Sequence, residues 1–355
     1  MELSQEIMDR EACYRAFQSH DARFDGRIFV GVTSTGIYCR PICPARPPKF
    51  ENCRFFASAA AAQEAGFRPC LRCRPEIAPE LAFWRGSSNT VSRALKLIAE
   101  GALDESEAGV EAFAEKLGVG GRQLRRLFSQ HLGASPIAVA QTRRVLFAKQ
   151  LIHDTQLPMT EVALSAGFGS VRRFNETFRK LFGRPPSLLR RKKSPDNSAS
   201  EGVTLRLSYR PPYDWPGMLD ALRLCTKKKV ERVEGGVWHR QIELDGKRGT
   251  VSVAHLPERN AVAVTIRFPE VRALPAIVAR VKRVFDLGAD IVTIDKHLAR
   301  DPKLAPLIAK RPGLRAPGDW DHDISPANLD TRAPPAWRPW HAYAEQHLRL
   351  AANAA

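Results

Sequence analysis

Cys39, Cys43, Cys70 and Cys73 are the residues whose type and spacing could do chemistry. They stand in G-I-Y-C-R-P-I-C-P-A-R and, 26 residues beyond that first pair, in G-F-R-P-C-L-R-C-R-P. Two close cysteine pairs on separate turns can close a tetrahedral thiolate site around one zinc ion. Arg40, Arg46, Arg68, Arg72 and Arg74, with Pro41, Pro69 and Pro75, surround them. Proline keeps such loops out of helix, and arginine suits a surface that faces phosphate. Spacing alone favours a structural zinc knuckle and leaves a reactive thiolate open. Zinc would keep a thiol ionised at neutral pH, where a free thiol of pKa about 8.5 is mostly protonated. Cys13, Cys53 and Cys225 fall outside the frame and read as small buried apolar residues, with Cys53, inside the zinc segment, left open.

The elements that must position these thiols belong to a long, basic chain. Its 355 residues allow two or three domains, and a formal charge of +17 points to an anionic partner, most often nucleic acid. Residues 85–193 carry 19 Lys/Arg against 9 Asp/Glu, so +10 of the +17 sits in the middle of the chain. Two linkers divide it, R-G-S-S-N-T at Arg85–Thr90 and R-R-K-K-S-P-D-N-S-A-S-E-G at Arg190–Gly202. The polar start M-E-L-S-Q-E-I-M-D-R is unlike a signal peptide, and no apolar run approaches the roughly 18–20 residues of a membrane span. Reduced thiols at a metal suit the cytoplasm, so no membrane partner and a bacterial nucleoid-associated location are expected.

The middle region repeats itself. Val110–Pro136 and Met159–Pro186 each read as a short helix, a Gly-containing turn and a second helix that stops at Gly then Pro, the helix-turn-helix pattern. Leu124, Leu127, Phe128 and Leu132 share one face of the first copy, which leaves Arg122, Gln123, Arg125, Arg126 and Gln130 outward. Val171, Phe174, Phe178 and Leu181 form the stripe of the second, with Ser170, Arg172, Arg173, Asn175 and Arg179 outward. Arg, Gln and Asn are the types that read guanine and adenine edges, while further cations clamp phosphate. Pro136–Asp154 reads as one helix that would hold the two heads at fixed separation, so that a monomer could enter successive major grooves of double-stranded DNA.

These motifs carry resemblances to known families. Residues 85–190 resemble the paired helix-turn-helix domain of AraC-type regulators, through A-L-S-A-G-F-G-S-V-R-R-F-N-E-T-F-R-K-L-F-G-R-P-P. The segment from Cys13 to Pro75 resembles the N-terminal domain of Ada-type adaptive-response proteins, with T-S-T-G-I-Y-C-R-P-I-C and G-F-R-P-C-L-R-C intact. That resemblance implies that all four cysteines hold one zinc ion. It also implies that Cys39 accepts a methyl group irreversibly from a methyl phosphotriester in DNA, so that the chain acts once. Loss of one thiolate charge then implies tighter binding to promoter DNA, in a transcription activator with RNA polymerase as partner.

The third segment changes to period two. Thr204–Tyr209, Val230–Val233, Val237–Leu244, Thr250–His255 and Ala261–Phe268 read as strands, and Trp215–Leu224 and Leu274–Phe285 as helices. L-S-Y-R-P-P-Y-D-W, V-E-G-G-V-W-H-R, R-V-F-D-L-G-A-D and P-G-L-R-A-P-G-D-W-D resemble the N-terminal domain of AlkA-type alkylbase DNA glycosylases. The family's catalytic half, with its Gly-rich hairpin and aspartate, has no counterpart between His322 and Ala336. No glycosylase catalytic residue is therefore assigned, and Asp286 and Asp290 read as structural. The tail with Trp337, Trp340 and Tyr343 resembles the C-terminus of the same enzymes and reads as a packing helix or an exposed apolar patch.

The expected architecture is multidomain. A small α/β zinc domain (residues 1–84) precedes an all-α paired helix-turn-helix domain (85–193). An α+β domain with an antiparallel sheet (203–321) and a C-terminal remnant (322–355) follow. The expected function is an alkylation-responsive activator with single-turnover methyltransferase activity. The alternatives are a DNA-3-methyladenine glycosylase and an AraC-type regulator with a purely structural zinc.

Overall fold

The computed structural model describes residues 9–79, 89–103, 109–190, 202–225, 230–321 and 334–353. Most of the two linkers and the stretch from His322 lie outside the described residues. The chain divides into two compact units, and the zinc segment and the helix-turn-helix region share the first.

In the first unit, α1 (Arg10–Gln18) begins at Asp9, whose carboxylate accepts the Glu11 amide. A four-stranded sheet follows, built from β1 (Phe29–Val32), β2 (Ile37–Cys39), β3 (Cys53–Phe56) and, after α2 (Ala59–Glu64), β4 (Arg68–Pro69). Its order is β3-β1-β2-β4. The β1–β2 hairpin turns through Gly36, which takes the left-handed φ of +63° that a side chain would resist. Strands β2 and β4 run parallel, with Tyr38 beside Pro69. Both cysteine loops therefore leave the sheet at the same end.

The helical region comprises α3 (Asn89–Ala99), α4 (Gly109–Lys116), α5 (Gly121–Leu132), α6 (Pro136–Asp154), α7 (Met159–Ser165) and α8 (Val171–Phe182). Asn89 and Thr90, expected in the linker, already belong to α3. Each repeat closes as its sequence predicts: α5 ends at left-handed Gly133 and α8 at left-handed Gly183. Leu124, Leu127, Phe128 and Leu132 are buried with Phe113 and Val110 of α4. In the second copy Phe174 and Phe178 are fully buried and pack on Phe168, their ring centroids 4.8 Å apart. Helix α6 joins the two copies over the full span expected.

The second unit holds β5 (Val203–Ser208), α9 (Trp215–Cys225), β6 (Glu231–Glu234), β7 (Val237–Leu244), β8 (Lys247–Leu256) and β9 (Ala261–Arg267). The sheet is antiparallel, ordered β5-β9-β8-β7-β6, so four strands form a meander and β5 closes the far edge. Alternate residues of the central strands, Val251, Val253, Val262 and Val264 among them, are buried. Helices α10 (Leu274–Val284), α11 (Ile291–Leu298), α12 (Ala305–Lys310) and α13 (His341–Ala352) follow. The tail is a packing helix rather than an exposed patch. Trp340, Tyr343 and Ala344 enter one core with Ile291, Ile294, Leu298 and Leu304.

Buried charge organises that unit. Arg315, fully enclosed, donates to the carbonyls of Arg210, Pro212, Asp286 and Ala289, satisfying backbone groups that would otherwise be unpaired. The Tyr343 hydroxyl donates to Asp286 Oδ2 at 2.7 Å. Burial pushes the Asp286 carboxyl up to about 6, against the Arg315 charge. Its folded pKa lies above the unfolded one, so its stabilising contribution is complete below about pH 4 and is lost as pH rises through 6. Asp286→Asn keeps an acceptor for Tyr343 and removes that loss. Relative to wild type it is expected to gain at most about 3 kcal/mol between pH 4 and pH 8, read by denaturant unfolding at the two pH values.

Candidate metal centre and nucleic-acid interface

Cys39 ends β2, where it pairs with Val30 of β1, and Cys70 follows β4, its amide donating to Tyr38 O at 3.0 Å. The parallel β2–β4 pair thus sets Cys39 beside Cys70. Cys43 returns through a turn closed by its own amide on Arg40 O. The sulfurs of Cys39, Cys43, Cys70 and Cys73 lie within 4.8 Å of one another. A tetrahedral zinc with Zn–S near 2.3 Å needs sulfurs slightly under 4 Å apart, so this donor set and spacing fit it. Burial pushes the Cys73 thiol well above its ordinary value, and hydrogen bonding to Cys43, Cys70 and Cys73 pushes Cys39 up as well. Four thiols this close ionise together only around a cation. Among the described residues this is the only such cluster, and it forms a zinc site.

The sulfurs are not equivalent. The Arg40 amide donates to Cys73 Sγ and the Arg72 amide to Cys70 Sγ, both at 3.3 Å. The Ala45 amide lowers Cys43 by hydrogen bonding, after the larger influence of Cys39. Among the described residues no amide donates to Cys39 Sγ. Cys43 is fully enclosed, whereas Cys39, Cys70 and Cys73 each keep 6% of their surface.

The arginines divide into two groups, which corrects the sequence reading. Arg46 and Arg72 are exposed and Arg68 is half-buried, as a phosphate-facing role requires. Arg40 and Arg74 are buried and serve as scaffold. Arg40 ion-pairs with Asp25, and its guanidinium donates to Cys73 O at 3.0 Å, tying the two cysteine loops together. Arg74 takes a left-handed φ of +55°, rare for a residue with a side chain. It ion-pairs with Glu76 at 2.9 Å and with Asp154 of α6 at 2.8 Å. Cys13 and Cys53 are buried as expected, and burial raises both thiols; Cys225 is exposed, contrary to expectation.

On the helical face, Arg122, Gln123, Arg125, Arg126, Arg172, Arg173 and Arg179 are all exposed. Two of them are held: Arg125 by Glu111 at 2.5 Å and Arg172 by Glu176 at 2.8 Å. Ser170 serves as N-cap of α8, its hydroxyl accepting the Arg173 amide at 3.2 Å, and Asn175 is half-buried.

Sequence reasoning passed over Lys149. It lies on the α6 stripe formed by Val145, Ala148 and Ile152, and a lysine at such a position signals a buried partner. Lys149 is fully buried, ion-paired with Glu76, and donates to Cys70 O at 3.0 Å. Burial alone would raise the Glu76 carboxyl, but Lys149, His153 and Arg74 hold it well below the carboxylate range.

Fold and site together define a four-thiolate metal domain packed on a paired helix-turn-helix DNA reader, followed by an α+β domain. Residues 12–76 match the metal binding domain of Ada, residues 113–192 a helix-turn-helix domain, and residues 204–321 the AlkA N-terminal domain. The chain therefore carries an Ada-type zinc domain, an AraC-type helix-turn-helix domain and an AlkA N-terminal domain in succession.

It is 42% identical over 313 residues to a Mycobacterium tuberculosis protein described as "Probable bifunctional transcriptional activator/DNA repair enzyme AlkA", covering 87% of this chain and 62% of that one. It is 32% identical over 155 residues to the Escherichia coli "Bifunctional transcriptional activator/DNA repair enzyme Ada", covering 44% and 42%. The chain thus spans less than two thirds of either relative. Among solved structures, the DNA methyl phosphotriester repair domain of E. coli Ada is 38% identical, with 21% of this chain and 80% of that one covered and a TM-score of 0.19. Among the described residues no helix is long and apolar enough to cross a membrane.

Proposed function

We propose that the chain is an alkylation-responsive transcription activator that removes methyl groups from DNA phosphotriesters onto Cys39. The observation that carries this is the asymmetry of the four sulfurs. Cys70 and Cys73 accept backbone amides, which draws charge from sulfur, while Cys39, no more exposed than they are, accepts none among the described residues. Bound zinc supplies a thiolate at neutral pH. Cys39 Sγ attacks the methyl carbon, an S–C bond forms, and the C–O bond breaks with its electron pair left on the phosphate as a diester anion. The methylated phosphate is uncharged beforehand, so the thiolate meets no repulsion there. No general base is required, because no proton moves. The thioether does not return its methyl, so each chain acts once.

Loss of one thiolate charge removes repulsion from nearby phosphate. At about 4 Å a charge pair is worth roughly 1 kcal/mol in water and about 4 at an effective dielectric of 20, hence a rise in promoter affinity of about one to three orders of magnitude. Equal affinities before and after stoichiometric methylation, across salt concentrations, would rule this switch out.

The exposed arginines of α5 and α8 are the proposed reading surface, with Gln123 and Asn175 beside them, on a chain that binds DNA as a monomer and contacts RNA polymerase. Arg122→Ala and Arg173→Ala are each expected to weaken promoter binding. An arginine on phosphate would lower the slope of log affinity against log salt by about 0.9, and one on a base would cost about 1–3 kcal/mol and relax preference at that position. Unchanged affinity in both variants contradicts the assignment. The AlkA N-terminal domain is proposed to lack glycosylase activity here, since the family's Gly-rich hairpin and aspartate have no counterpart in the sequence after it, and Asp286 is held by the Tyr343 hydroxyl. Release of free methyladenine from alkylated DNA by the full chain would overturn that.

A further inference from the structure

The metal domain grips the helical region at two places within the first unit. At one end, the Ser58 hydroxyl caps α2 by accepting the Ala61 amide and also donates to Leu132 O at 2.7 Å, at the last turn of α5. Ser135, the N-cap of α6, donates to Glu64 of α2 at 2.9 Å, and Ala60, Ala134 and Ala138 close the contact. At the other end, the loop that carries Cys70 and Cys73 meets the last turns of α6. There Lys149 Nζ reaches Cys70 O at 3.0 Å and Glu76, while Arg74, the residue after Cys73, reaches Asp154. The side chains of Lys149 and Glu76 have no solvent exposure.

We propose that Lys149 is a positioning residue of the thiolate site, and that with Glu76 and Arg74 it transmits the state of the Cys70–Cys73 loop to the helix joining the two DNA-reading motifs. Geometry carries the argument. Cys70 supplies a metal ligand from its side chain and a hydrogen-bond acceptor to α6 from its backbone, so a change in the loop displaces the Lys149 contact. Arg74 holds an unfavourable left-handed backbone directly after Cys73, and such a conformation persists only where surrounding contacts over-determine it. Two carboxylates on its guanidinium, Glu76 from the loop and Asp154 from α6, supply those contacts. Helix α6 in turn contacts α5 and α7, one helix of each reading motif, so a change at the metal loop has a path to both.

The inference rests on the zinc site alone and holds whether or not Cys39 takes a methyl group. The test uses the full-length, zinc-loaded chain and reads hydrogen exchange of α6 amides before and after removal of zinc by a chelator. In the wild type, chelation is expected to speed exchange across residues 145–153 on the order of tenfold or more. Glu76→Gln combined with Lys149→Met removes both buried charges together, so neither is stranded. In that variant α6 exchange is expected not to respond to chelation, and zinc affinity is expected to fall roughly 10–100-fold, the usual effect of losing contacts behind a ligand. Lys149→Arg, which keeps a donor and a charge, is expected to restore part of both effects. Wild-type α6 exchange that ignores chelation overturns the proposal, and so does a double variant that responds as the wild type does.

Discussion

Exposure to DNA carrying methyl phosphotriesters is expected to add one methyl group per chain, located on the Cys39 peptide by mass measurement, and Cys39→Ala is expected to add none. The physical ground is the distribution of hydrogen bonds among four sulfurs that share one cation. Amides on Cys70 and Cys73 lower the charge available there, and Cys43 is fully enclosed. Cys39 is the sulfur that accepts no amide among the described residues and is not fully enclosed as Cys43 is. Three thiolates remain in Cys39→Ala, so that variant is expected to keep zinc with reduced affinity while its methyl uptake is abolished. Cys43→Ala should lose zinc affinity to a similar extent, yet any zinc it still binds leaves Cys39 able to react. If both variants lost zinc and methyl uptake in parallel, or if the methyl appeared on another residue, the metal would be structural and the nucleophile misassigned.

The second large effect concerns stability. Lys149→Met alone is expected to destabilise the first unit by about 3 kcal/mol, because it leaves the Glu76 carboxylate buried without its main counter-charge. The lower end of the range for a broken buried pair applies, since Arg74 and His153 still face Glu76. For a unit of this size that corresponds to a fall in Tm of roughly 10 °C. Adding Glu76→Gln to Lys149→Met should recover most of the loss, because the two neutral side chains strand no charge. A single variant as stable as wild type, or a double variant less stable than the single, would contradict the reading. Stability and coupling separate here: the double variant is expected to fold well and to transmit nothing.

Some of this was legible because it is local. The cysteine frame, the two helix-turn-helix copies with their Gly stops, and the full length of α6 each follow from spacing and periodicity within about 30 residues. The period-two strands of the third segment came within a residue or two of their ends for the same reason, with the largest difference at β8, which starts at Lys247 rather than Thr250. The reading failed where a side chain's partner is distant in sequence. Arg40 and Arg74 share the composition of Arg46 and Arg72, yet Asp25, Glu76 and Asp154 draw the first two inside.

By itself the sequence determined that four thiols come in two pairs, that a basic double helix-turn-helix follows, and that a β-rich domain comes after it. Ligand chemistry and hydrophobic periodicity are written in adjacent residues, so no fold is needed to see them. Only the tertiary structure decided which sulfur is left without an amide, which arginines face solvent, and that Lys149 ties a ligand's own carbonyl to α6. Those outcomes depend on β2 lying parallel to β4 and on Glu76 meeting a lysine 73 residues away. Burial then gives such pairings their force, because a charge cut off from water must find its partner within the protein.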